Sequence, residues 1–139
     1  MNYSTFNDNN FFIKKNSTYP DLKYHLIQKI RDEFNLSDEL LENVAVTFSM
    51  IDANTGRFII ANTPADLVIN RDRAKYPTET EYTLEYHFKE SETKRVGRYL
   101  GEFVVDFLNP AIDCGKIKLP LNSEINIIIT DTITKTTVI

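Results

Sequence analysis

The chain has 139 residues, and 42% of them are hydrophobic and 26% charged. That is enough for one domain with a real core, and far from the composition of a disordered segment. A net charge of −4 with no dense basic cluster argues against a nucleic-acid surface, and no apolar run approaches the length of a membrane span.

Residues 1–10 are rich in Asn, Ser and Thr and bury little apolar surface, so they are expected to form a flexible N-terminal arm. The arm holds Tyr3 and Phe6, two aromatics in a polar context that suit anchoring in a partner's pockets. Phe11 and Phe12 follow, and one of them is expected to join the domain, which spans 11–139. No basic region precedes an apolar stretch, so the start does not read as a signal peptide.

"DLKYHLIQKI" alternates Leu22, Tyr24 and Leu26 with Lys23 and His25, which predicts a strand with one wet face. "RDEFNLSDELLEN" breaks that alternation. Ser37 ahead of Asp38 and Glu39 reads as an N-cap opening one short helical turn near 37–42. Val44, Val46, Phe48 and Met50 then share one strand face. "DANTG" turns the chain, "RFIIA" returns antiparallel, and "ADLVIN" reads as a further short strand. The polar, Pro77-bearing run "RDRAKYPTETE" is a loop. "YTLEYHF" puts Tyr82, Leu84, Tyr86 and Phe88 inward.

"VGRYLGEFVVDFL" carries Tyr99, Gly101, Phe103 and Val105 on one face. Gly97 supplies a backbone angle that a Cβ would resist, and Tyr99 follows it where a tyrosine corner is built: the ring goes inside and the hydroxyl meets a nearby backbone group. Gly101 takes the inward position where an immunoglobulin domain often has cysteine, and leaves room for a large neighbour from the facing sheet. After the loop "NPAIDCG", "KIKLPL" and "EINIIIT" close the domain. The Thr-rich "DTITKTTVI" is a last strand or an extended tail. About seven or eight short strands with turn signals between them define the fold class: an all-β, Ig-like antiparallel sandwich, with a closed barrel as the alternative.

Candidate chemistry is thin. "DANTG" resembles the start of a calcium loop, but its glycine comes one place early and no closing acid follows. His25 and His87 lack a third metal ligand. Cys114 stands alone, so an intrachain disulfide is excluded, and a structural thiol fits it better than a nucleophile. Glu85 and Glu102 read as outward residues of neighbouring strands. No cofactor, metal or catalytic residue is assigned, and the chain reads as a non-enzyme.

The patterns "VTFSMID…G", "YTLEYHF", "ETKRVGRYLGEFVVDF" and "GKIKLPLNSEINIIITD" resemble small β-sandwich structural proteins of tailed bacteriophages. They are similar to upper baseplate protein N-terminal domains and to Ig-like head decoration and head-fibre proteins, over about residues 11–131. The resemblance implies a virion protein, assembled in the host cytoplasm. It would dock on a capsid or tail lattice in many copies, with other virion proteins as partners and neither nucleic acid nor membrane. No receptor-binding segment is expected after the sandwich, so an auxiliary capsid or head-fibre role leads. The alternatives are a tail collar or baseplate component, or a carbohydrate-binding adhesion module that would expose Tyr76, Tyr82 or Tyr86.

Overall fold

The computed structural model describes residues 10–72, 80–108, 115–121 and 123–131, apart from the side chain of Gln28. In chain order these are β1 (Asn10–Lys14), β2 (Leu22–His25), α1 (Gln28–Glu33), α2 (Asp38–Leu41), β3 (Val44–Asp52) and β4 (Phe58–Asn70). A second run follows: β5 (Glu81–Tyr86), a 3-10 turn (Glu90–Thr93), β6 (Gly97–Phe107), β7 (Lys116–Leu119) and β8 (Ile125–Thr130). None of the described helices is long and apolar enough to cross a membrane.

The strands form where β-branched and aromatic residues recur at every second position, since a pleated strand sends alternate side chains to one face. Val46, Phe48 and Met50 of β3 are buried on that face, as are Tyr99, Phe103 and Val105 of β6 and Ile125, Ile127 and Ile129 of β8. Tyr82, Leu84 and Tyr86 of β5 and Leu22 and Tyr24 of β2 supply the other wall.

β6 is the hub. It runs antiparallel to β3 along one side, from Tyr99 opposite Asp52 to Phe107 opposite Val44. On its other side β8 pairs with Gly97–Gly101 and β7 with Phe103–Asp106, so β7 and β8 share one edge in succession. β1 lies outside β8. β4 pairs with β3 through Ala65, then with β5 from Asp66 onward, and β2 lies outside β5. The full order is β1-β8-β6-β3-β4-β5-β2.

The result is the expected sheet-dominated, sandwich-like fold. One wall is built on β6 and the other on β5, with aromatic rings between them. Phe48 of the first wall stacks on Tyr86 of the second, ring centroids 4.7 Å apart, and Phe88 meets Phe48 edge-on. Because β4 belongs to both walls, the sheet is continuous on that side and nearly barrel-like.

Four details differ from the sequence reading. The β1–β8 ladder is parallel, an exception in an otherwise antiparallel sheet. β1 starts at Asn10, one residue inside the segment read as an arm. The alternation at Leu22–Leu26 does not continue to Ile30: residues 28–33 form a helix, with good helix formers (Gln, Lys, Arg, Glu) around Ile30. Arg31 ties that helix down. It is buried, its Nε donates to the Leu26 carbonyl at 3.0 Å, and its guanidinium lies 4.9 Å from the Tyr82 ring centroid. Finally, "RFIIA" and "ADLVIN" are parts of one long strand. Asn62 adopts a positive φ of 46° and its N–H donates to Ser49 Oγ at 2.9 Å, in a stretch of β3–β4 where the pairing register shifts. Such an irregularity bends a strand and lets it pass from one sheet to the next.

The short helix at Asp38–Leu41 forms where Ser37 predicted it. Ser37 Oγ accepts from the Leu40 N–H at 3.1 Å, with Asp38 and Glu39 in the first turn. Of the two adjacent aromatics, Phe11 packs on the core and stacks on Phe88 at 5.9 Å, while Phe12 is 60% exposed.

Candidate functional site

The segment 97–103 is occupied by packing. Gly97 sits at φ +154°, where an added Cβ would make only ordinary contact with the Tyr99 ring, so the demand there is conformational. The buried Tyr99 donates its hydroxyl to the Arg95 carbonyl at 2.7 Å. Burial, with the nearby Asp52 charge, pushes the Tyr99 pKa up. Gly101 opens a space, but the neighbours that fill it come from adjacent strands of its own wall rather than from the facing one. They are Phe48 on β3 and Ile127 on β8. Phe103 is fully buried, its ring centroid 5.0 Å from that of Phe48.

The polar candidates are also engaged in local structure. Asp52 Oδ1 accepts from the N–H groups of Asn54 and Thr55, and Gly56 takes φ +75°, so "DANTG" is a side-chain-capped hairpin turn. His25 Nδ1 lies 3.3 Å from Thr83 Oγ1, and His87 Nδ1 lies 2.7 Å from Asp21 Oδ1. Among the described residues no three His, Cys, Asp or Glu side chains gather as a metal site. Glu85 and Glu102 are not on neighbouring strands: β5 and β6 lie in different walls. Cys114, Tyr76, Tyr3 and Phe6 lie outside the described residues. Tyr82 and Tyr86 are fully buried or nearly so.

Two buried tyrosines carry contacts that no sequence pattern announced. Tyr82 donates to Asp38 Oδ1 at 2.6 Å, joining β5 to α2. Tyr86 donates to the Glu92 carboxylate, 2.9 Å from each oxygen, and the Lys89 backbone N–H donates to the same group. Burial first, then the Asp38 hydrogen bond, pushes the Tyr82 pKa up to about 12. Burial and then Glu92 act on Tyr86 in the same direction.

The remaining feature is β4 itself. Its first half pairs only with β3 and its second half only with β5, so each half has one side without a strand partner among the described residues. Phe58 at 65% and Ile59 at 41% exposure lie on the first half, and Val68 is exposed on the second. Unpaired strand edges are templates for another chain, and natural edges are commonly guarded by charge. The outer strands β1 and β2 carry Lys14 and Lys23, whereas Phe58–Pro64 has no charged residue. Where the halves change partner, an open groove of about 390 Å³ lies between β3, β4 and α2. Its signal in the sequence was the apolar, uncharged run "FIIANTPA" beside "DLVI", read there as two ordinary strands.

Comparison with protein-family models, with curated proteins and with solved structures found no match for this chain.

Proposed function

We propose that this protein is a non-enzymatic structural interaction module that docks on a larger assembly through strand edges. The observation that carries the reading is the split pairing of β4, which leaves uncharged backbone edge and exposed Phe58 and Ile59 available to a partner. An extended partner segment would gain main-chain hydrogen bonds along that edge and bury apolar side chains beside it. The placement in a tailed-phage virion, as an auxiliary capsid or head-fibre component, is supported by the sequence resemblance. On that reading the partners are other virion structural proteins, and Tyr3 and Phe6 of the arm provide a second anchor. The burial of Tyr82 and Tyr86 weighs against a sugar-binding tyrosine platform.

The test is to follow the tagged chain through particle assembly in its host. Co-purification with intact particles, in fixed stoichiometry to the major shell protein, is the expected result. A chain that stays in the free fraction while particles assemble normally contradicts the virion placement.

A further inference from the structure

The last pair of the β3–β4 ladder is Val46 with Ala65, and the first pair of the β4–β5 ladder is Asp66 with Glu85. Below that junction Val44 and Ala45 pair only with β6. The two strands therefore diverge, and their facing edges have no strand partner among the described residues. The groove between them is lined by Leu41, Val44, Val46, Ala65, Leu67 and Ile69, with Asp66 exposed at its rim. Glu42, also at the rim, is ion-paired with Arg71. An apolar trough with backbone edges along both sides suits one more extended segment.

The chain carries such a segment beyond Asp131. Residues 132–139 read Thr-Ile-Thr-Lys-Thr-Thr-Val-Ile and are β-branched everywhere except Lys135. That composition favours a strand, and the single Lys complements Asp66, the rim acid outside the Glu42–Arg71 pair. Its own groove lies out of reach. Ile129 sits opposite Gly97 at one end of β6, while the groove residue Val44 sits opposite Phe107 at the other. Gly97 and Phe107 are ten residues apart along β6, about 33 Å at the usual rise. The nine residue-to-residue steps from Thr130 to Ile139 span at most about 32 Å fully stretched, which leaves nothing to lie in the groove.

We propose that residues 132–139 of one copy lie as an added strand in the β3–β4 groove of a second copy. Donor and acceptor are at opposite ends of the molecule, so the exchange gives a reciprocal pair or a head-to-tail array. This rests on the interaction-module reading but is tested apart from it. Copy–copy association is measured on purified protein, and docking on a particle is measured on particles.

The experiment compares the full chain with a chain ending at Asp131 by sedimentation over a wide concentration range. It adds a labelled peptide of residues 132–139 to the shortened chain. The full chain should self-associate, the shortened chain should stay single and folded, and the peptide should bind it one to one. Asp66→Lys, on an exposed side chain, should weaken peptide binding by about two- to fivefold, the range of an exposed ion pair. A Lys135→Glu peptide should recover that loss. Ala65→Arg, which fills the groove, should abolish binding. A full chain that stays single, a shortened chain that associates equally well, an unbound peptide, or binding indifferent to both groove variants would overturn the proposal.

Discussion

The Phe48 ring covers the bare Cα of Gly101: a Cβ at 101 would fall 2.8 Å from Phe48 Cζ and 2.8 Å from Ile127 Cδ1. Phe48 has nowhere to retreat, because it is fully buried between Tyr86 and Phe103. Gly101→Val should therefore overpack the core and cost roughly 1–3 kcal/mol. Chemical denaturation of the variant should show a lower midpoint with an unchanged slope. Unchanged stability would mean that the position opens to solvent.

Tyr99 contributes through both its ring and its hydroxyl. Tyr99→Phe removes the part-buried bond to the Arg95 carbonyl and should cost about 1 kcal/mol, the usual net contribution of one such hydrogen bond. Tyr99→Ala also removes the ring from the core and should cost about 3–5 kcal/mol. Thermal melts of the two variants should rank in that order.

Alkali should destabilise the fold through Tyr82 and Tyr86. Both are raised above the ordinary tyrosine value, Tyr82 to about 12, so the unfolded chain loses these protons before the folded chain does. Their contribution is complete below the unfolded pKa of about 10 and is lost as pH rises from there toward the folded value. Stability measured across that window should fall with pH. Tyr82→Phe should flatten the slope even if it lowers stability at neutral pH by removing the bond to Asp38.

The arm and the domain should separate in function. Phe11 already packs on the core, so a chain lacking residues 1–8 should keep near-parental stability. The same chain should fail to join assembling particles, since the lost Tyr3 and Phe6 are the proposed anchors. Normal incorporation would move the docking surface onto the sandwich alone.

The strands were legible because their cores are aromatic and β-branched at every second position, as in Val46–Met50 and Tyr82–Tyr86. The corner at Tyr99 was legible because a turn, a glycine and a tyrosine stand at fixed spacing. The helix at 28–33 was not, because Leu26 and Ile30 also fit a continued strand, and the contact of Arg31 with the Tyr82 ring that adds to its local propensity is tertiary. The parallel pairing of β1 depends on contacts more than a hundred residues apart, which alternation cannot encode. The β4 edge was hidden for a related reason. A period of two tells which face a residue takes, but not which side of the strand lacks a neighbour.

The central claim is that β4 is the docking edge, and amide hydrogen exchange tests it most directly. Exchange should be measured residue by residue on the dilute free chain and on the chain incorporated in its assembly. Protection should rise over Phe58–Asn70 and at Val44 and Ala45, while the β2 edge at Leu22–His25 stays unchanged. Protection that rises at β2 while β4 exchanges as in the free chain would contradict the account.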